Sequence, residues 1–332
     1  MKNIDILFFE LIQIAIGNRV CLSHTPSFAN WQTLYDMAMK QSLLGICFAG
    51  VQRLQSQEQI PQKLLYIQWM GIAAKIQRRN ELLNLQCAKL QTKLAAEGLK
   101  SCILKGQGVA ALYRMGQNGN LQTSLITSNF LNLSMLRQSG DIDIWIDGGL
   151  ETTLQLCNKF GQNANVTEQH VNLDIFKCVE VEAHYVPTRV MNPLVDKKLQ
   201  RWIQSQKEKQ FSNRDEFGWC TPTAEFNLVY LLVHLYRHLF HEGVGLRQVM
   251  DYYFVLLNSK ESERKNALQT IREIGLKDFA SGVMHVQKVV FGLREELLIC
   301  PQNERHGWFL LKEIMKMNNS NNNKGEMTQK GR

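Results

Sequence analysis

The stretch Gly140-Asp-Ile-Asp-Ile-Trp-Ile146 decides how the middle of this chain folds. Polar and apolar residues alternate at its start, which is typical of a half-buried β-strand because successive side chains of a strand point to opposite faces. Asp141 and Asp143 are two residues apart and therefore project from the same face. The stretch predicts a strand that presents two neighbouring carboxylates.

Short elements of both kinds surround this strand. A buried strand is predicted where the apolar run Ser101–Gly106 is stopped by glycine, and residues 107–115 and 151–160 are predicted as short helices. Residues 176–185 alternate again and place Glu180, Glu182 and His184 on one face. The middle of the chain is therefore predicted to be a small α/β unit.

Both flanks of this unit have helical spacing. A long helix is predicted from about Leu65 to Ala96, with Gly98 at its C-terminal cap. On the other side, residues 194–210 form a basic amphipathic segment, and Thr221 before Pro222 is expected to cap the next helix. Further helices are expected at 246–257, and two more between 261 and 316.

The predicted fold class is α+β, with a small mixed-sheet core between N- and C-terminal helical regions. The expected divisions are a helical region 1–97, an α/β core 98–192, a helical region 193–317 and a disordered tail 318–332. Within the core, the segment 116–134 is rich in Asn, Gln, Ser and Thr and is expected to be an inserted, mobile loop.

Composition limits the class of protein. The 332 residues are 45% hydrophobic and 20% charged, as in soluble globular proteins. The net charge of +8 suits a polyanionic partner, but it is spread along the chain, so it is weak evidence for one. Apolar runs are shorter than the roughly 18 residues that span a bilayer, and none of the eight cysteines forms a CxxC pair. We therefore expect a cytoplasmic protein without membrane attachment, structural zinc or disulfides.

The carboxylates indicate a metal site for phosphoryl or nucleotidyl transfer. Such chemistry uses two divalent cations about 3.5–4 Å apart, held by carboxylates that converge from adjacent strands. Asp141 and Asp143 supply two of these, and Glu182 is expected to supply the third in preference to Glu180 on the same face. Gly140 is expected to allow the backbone to come close beside the metal ions. The alternative is that the acidic strand is only the solvated face of an edge strand.

A set of motifs around these residues resembles the uncharacterised nucleotidyltransferase family of the DNA polymerase β-like superfamily. The motifs are Leu104-Lys105-Gly106, Ala111-x-Tyr113, Arg137-x-x-Gly140-Asp141-Ile-Asp143, Glu182-x-His184, and the later block Glu225-Phe226-Asn227, His234, His238, Glu242-Gly243-x-Gly245-Leu246-Arg247-Gln248 and Asp251-Tyr252. The resemblance implies transfer of a nucleoside monophosphate from a nucleoside triphosphate to an acceptor, with release of pyrophosphate.

The resemblance also implies roles for individual residues. Asp141, Asp143 and Glu182 would hold Mg²⁺, and Glu182 would also accept the proton of the acceptor. Lys105 and Gly106 would bind the triphosphate. It implies a shorter connection to the Asp-x-Asp strand than 116–134 provides, so an insertion is expected there.

Arg137 is expected to clamp a phosphate in bidentate fashion. His184 is expected to point toward the same site. Its role there is open between a base, a phosphate contact, a partner of the carboxylates and a structural residue. Two features outside the motif core stay open. His234 and His238 have the spacing of zinc ligands on one helix face but lack a third ligand, and Arg247 and Asp251 make either a helical ion pair or a nucleotide contact.

The sequence does not decide between active and inactive forms of this fold. If the insertion blocks the site, the chain would be a nucleotide-sensing or protein-interaction module; a helical nucleic-acid-binding protein is a third possibility. The acceptor is open between a protein side chain, a metabolite, a sugar phosphate and an RNA end, as are the base of the nucleotide and the oligomeric state. Replacing either Asp141 or Asp143 by Asn is expected to leave the melting temperature unchanged or raise it, because clustered carboxylates repel one another.

Overall fold

The computed structural model describes residues 2–54, 59–113, 132–160, 165–241 and 243–317. The predicted tail 318–332 and most of the predicted loop 116–134 lie outside these residues. Residues 132–134 are described: Asn132 caps a short helix, and Leu133 and Ser134 are buried.

The described residues combine many helices with a single four-stranded sheet, which confirms the α+β fold class. The strands are β1 (Ser101–Ile103), β2 (Ile142–Ile146), β3 (His170–Phe176) and β4 (Val179–His184). The helices are α1 (Asn3–Ala15), α2 (Phe28–Lys40), α3 (Leu44–Arg53), α4 (Lys63–Ala96), α5 (Gln107–Ala110), α6 (Leu133–Leu136), α7 (Gly149–Lys159), α8 (Pro193–Ser212), α9 (Ala224–His241), α10 (Leu246–Asn258), α11 (Glu261–Glu273), α12 (Lys277–Phe291) and α13 (Glu304–Met317).

The sheet is mixed, with the strand order β1-β2-β4-β3. β2 pairs with β1 in antiparallel and with β4 in parallel orientation, while β3 and β4 form an antiparallel pair. β3 is not among the predicted strands, since the predicted alternation began only at Phe176. Its own pattern is nevertheless of period two, because Val171 and Leu173 are buried while Asn172 and Asp174 are exposed.

The prediction that β2 is half-buried is wrong, because all five of its residues are buried. β2 lies between two strands, and each of its faces packs against a hydrophobic core. Ile142, Ile144 and Ile146 belong to the core on one face, and Trp145 belongs to the core on the other, where its ring packs 4.7 Å from that of Phe211. Asp143 thus lies on an enclosed face of the sheet.

Two cores hold the molecule together, and α4 contributes to both. Its first half joins a large core that also contains residues of α1, α3, α9, α10 and α12. Its second half, with Leu83, Cys87 and Leu90, packs with α7 against the sheet. The N- and C-terminal helices therefore share one interior, which burial of apolar surface stabilises.

Two helix boundaries differ from the prediction. The cap of α9 is Thr223 rather than Thr221, because the Phe226 N–H donates to Thr223 Oγ1 over 3.3 Å and the helix begins at Ala224. Between 261 and 316 there are three helices where two were predicted. The long helix α4 is confirmed, and Gly98 after it has a φ of +72°, as expected of a residue that ends a helix. No helix among the described residues is both long enough and apolar enough to cross a membrane.

Candidate active site

Three carboxylates meet at the parallel pairing of β2 with β4. Asp143 lies directly beside Glu182 in the register of these strands, and Asp141 immediately precedes β2. One oxygen from each of Asp141, Asp143 and Glu182 lies within 4.8 Å of the others. The expected approach of Glu182 to the aspartate pair is confirmed. Glu180 is exposed and does not belong to this group.

Asp143 is the buried centre of the group. Its side chain is 2% exposed, and its Oδ1 contacts the Lys105 ammonium at 2.8 Å and His184 Nε2 at 2.9 Å. Burial alone would raise the pKa of this carboxyl, but the positive charge of Lys105 and the hydrogen bond from His184 hold the pKa well below its usual range. Asp143 is therefore ionised at neutral pH.

Asp141 has the opposite electrostatic environment. The negative charge of Asp143, with a smaller contribution from burial, raises the pKa of Asp141 to about 6, although Lys105 opposes the shift. The negative charge of Glu182 also contributes to this rise in the pKa. The three carboxylates together hold more negative charge than the neighbouring protein groups neutralise, which is the condition that a bound cation relieves.

The turn between β1 and α5 lies directly beside the aspartates. The Leu104 N–H donates to the Asp143 carbonyl over 2.8 Å, and a Cβ on Gly106 would lie 3.7 Å from the Asp141 carbonyl oxygen. Gly106 has a φ of +43° and a ψ of −112°, a conformation that favours glycine. This turn brings Lys105 to Asp143, and the Lys105 side chain keeps 22% of its surface exposed. Burial would lower the pKa of Lys105, but the charge of Asp143 raises it on balance.

Two histidines border Glu182. His184 Nε2 lies 3.3 Å and His170 Nδ1 lies 3.5 Å from Glu182 Oε2. Burial would lower the pKa of His184, but its contacts with Asp143 and Glu182 raise it on balance. Burial lowers the pKa of His170. The sequence analysis missed His170; the alternation of β3 was the signal that could have found it.

Arg137 is paired with Asp251 in a buried polar network. Its Nε and Nη2 each donate to Asp251 over 2.7 Å, and its Nη1 donates to Ser139 Oγ over 3.0 Å. The Tyr113 hydroxyl donates to the same Asp251 carboxylate over 2.6 Å. The structure thus replaces the expected phosphate clamp with a buried ion pair. Asp251 is thus paired with Arg137 and not mainly with Arg247. The Arg247 Nη1 donates to the Gln138 carbonyl over 2.9 Å.

Gly140 has open space around it. A Cβ placed on Gly140 would have no protein atom within 4 Å, so packing of the described residues does not require glycine there, and its role beside the metal ions stays a prediction. Its carbonyl accepts a hydrogen bond from Arg79 Nη2 over 3.3 Å.

Helix α9 carries His234 and His238, whose rings lie 4.1 Å apart. Burial, followed by the nearby charge of Lys105, holds the pKa of His234 well below its ordinary value, so this ring is neutral. Neither histidine belongs to the potential metal-binding groups found among the described residues. On the same helix, Arg237 Nη1 donates to Gln169 Oε1 over 2.6 Å and so links α9 to the start of β3.

Comparison with known proteins gives one match. Neither the curated proteins nor the solved structures contain a match to this chain. A family model described as uncharacterised nucleotidyltransferase matches residues 27–117 and 125–292, and this range contains the sheet, the three carboxylates and the Lys105–Gly106 turn. Since the match covers most of the chain, the protein belongs to the uncharacterised nucleotidyltransferase family.

Proposed function

We propose that this protein is a Mg²⁺-dependent nucleotidyltransferase that transfers a nucleoside monophosphate from a nucleoside triphosphate to an acceptor and releases pyrophosphate. The observation that carries the proposal is the convergence of Asp141, Asp143 and Glu182 within 4.8 Å. Membership of the family supports nucleotidyl transfer in general.

The donor set fits Mg²⁺, which prefers oxygen ligands and retains coordination positions for water and substrate phosphates. The pKa of Asp141 is raised by the negative charge of the neighbouring carboxylates, and a bound Mg²⁺ would neutralise this charge. Glu182 is 26% exposed, so the group is open to solvent on its side. Bound Mg²⁺ would stabilise the negative charge that develops on the triphosphate.

The surrounding residues would bind and orient the substrates. Lys105 would exchange its contact with Asp143 for a triphosphate oxygen, and the amides of Gly106 and Gln107 would contact phosphate where α5 begins. Glu182 would accept the proton of the attacking acceptor group. His184 would orient Glu182 through the 3.3 Å contact between its Nε2 and Glu182 Oε2.

The test is Mg²⁺-dependent release of pyrophosphate with all four nucleoside triphosphates present. Glu182→Gln should abolish the release, and Glu180→Gln is the matched control, since Glu180 lies on the same strand but is exposed. Equal activity of the two variants would contradict the assignment of Glu182. Mass spectrometry of the purified protein and its products would identify the acceptor among protein side chains, metabolites, sugar phosphates and RNA ends.

A second candidate is a catalytically inactive nucleotidyltransferase fold that senses nucleotides or binds another protein. The observation that favours it is the neutralisation of Asp143 Oδ1 by two protein groups, Lys105 and His184. This candidate predicts that triphosphate binds with equal affinity with and without Mg²⁺ and that pyrophosphate is never released. We propose the cytoplasm as the location, because the eight cysteines are free thiols and six of them are buried.

A further inference from the structure

Two imidazoles lie on the same sheet face as the carboxylates, one from β4 and one from β3. His170 of β3 is paired with His184 of β4, and Asn172 is paired with Glu182 in the same ladder. Because side chains alternate along a strand, His184 and Glu182 project from one face of β4, and His170 projects from the same face of β3. Adjacent strands thus deliver two imidazoles to one carboxylate.

The separations between these donors are those of ligands around one ion. His170 Nδ1 and His184 Nε2 lie 3.5 Å and 3.3 Å from Glu182 Oε2, and a donor atom of each residue lies within 4.8 Å of the others. A tetrahedral ion with bonds of about 2.0–2.1 Å sets its donors about 3.4 Å apart.

His184 is fixed with its Nε2 directed at both carboxylates. It is 3% exposed, and its polar contacts to Asp143 and Glu182 both use Nε2. The side chains of His170 and Glu182 are 20% and 26% exposed, which gives an ion a path from solvent.

We propose that His170, His184 and Glu182 bind one divalent transition-metal ion of the Zn²⁺ and Co²⁺ class, beside the Mg²⁺ position and sharing Glu182 with it. Imidazole nitrogen suits these ions, whereas Mg²⁺ selects oxygen. Binding displaces the proton of His184 Nε2 to solvent. The inference rests on the proposed function only through the shared Glu182.

The test uses Co²⁺ as an optical probe of the chelator-treated, full-length protein. We expect one Co²⁺ per chain with the intense visible bands of a four- or five-coordinate ion. His170→Gln should weaken Co²⁺ binding by at least about 100-fold, and His306→Gln, an exposed histidine of α13, is the matched control that should keep it. His170→Gln should also retain the Mg²⁺-induced rise in Tm, since Mg²⁺ does not need imidazole.

Three results would overturn the inference. One is a wild-type spectrum with only the weak band of six-coordinate Co²⁺, and another is an unchanged band in His170→Gln. The third is simultaneous loss of the Co²⁺ band and the Mg²⁺ response in His170→Gln, because His170 would then only hold Glu182 in place. Pyrophosphate release is measured separately: Co²⁺ binding without release refutes the function alone, and release without Co²⁺ binding refutes this inference alone.

Discussion

Replacing Asp141 by Asn should stabilise the metal-free protein at neutral pH. The negative charge of Asp143, with burial second, raises the pKa of Asp141 from its ordinary 3.8 to about 6. A raised pKa means that the folded state disfavours the ionised carboxylate more than the unfolded state does. Asn has nearly the same shape and no charge, so the substitution removes this penalty.

The size and the pH dependence of the effect follow from that pKa. Below about pH 4 the carboxyl is protonated in both states and the substitution should change the free energy of unfolding little. As the pH rises from 3.8 to about 6, only the unfolded state ionises and the wild-type protein loses stability. Above that range the ionised carboxylate lowers the free energy of unfolding of the wild-type protein by about 3 kcal/mol. Asp141→Asn can therefore stabilise the protein by at most this amount.

Asp143→Asn should have the opposite effect. Asp143 is the buried anion that Lys105 and His184 contact, so its loss leaves the Lys105 ammonium without its closest counter-ion and removes one of the two carboxylate contacts of His184. Removing one partner of a buried ion pair costs about 3–5 kcal/mol. The expectation from sequence, that both substitutions act alike, is therefore replaced by effects of opposite sign.

The assay is urea unfolding of the three proteins with a chelator present, at about pH 4 and at pH 7.5, followed by circular dichroism. Adding Mg²⁺ at pH 7.5 should then stabilise the wild-type protein and leave Asp141→Asn unchanged. Equal stability of wild type and Asp141→Asn at pH 7.5, or a stabilisation that is just as large at about pH 4, would refute the reasoning.

Three further predictions concern the surroundings of the carboxylates. Gly106→Ala should lower the free energy of unfolding by about 1–3 kcal/mol, because alanine disfavours the φ of +43°. Gly140→Ala is the control, since the space around Gly140 is open, and it should change the free energy of unfolding by less than about 0.5 kcal/mol in thermal unfolding of the two variants. Asp251→Ala should destabilise by about 3–5 kcal/mol by stranding Arg137, and a loss below about 1 kcal/mol in urea unfolding would contradict the buried ion pair. Thr223→Ala should cost about 1 kcal/mol by removing the cap of α9, and an unchanged Tm would argue against that cap.

The sequence by itself determined the elements whose signal is local. The alternation after Gly140 located β2, and the spacing of Leu82, Leu83, Leu90 and Leu94 located α4, because strand and helix periodicity are properties of neighbouring residues. The Glu-x-His pattern selected Glu182, and the parallel pairing of β4 with β2 places it beside Asp143. The fold class and the position of the carboxylate group were thus predictable.

Only the tertiary structure decided which groups neutralise one another. Arg137 and Asp251 are 114 positions apart, and His184 reaches Asp143 across 41 positions. No local pattern encodes such contacts, so the phosphate clamp predicted at Arg137 became a buried ion pair. The same holds for the two aspartates, which look equivalent in sequence. Lys105 and His184 contact Asp143, and the negative charge of Asp143 raises the pKa of Asp141. Coulomb energies depend on distance in space and on burial, and both are set only when the strands pair and the helices pack.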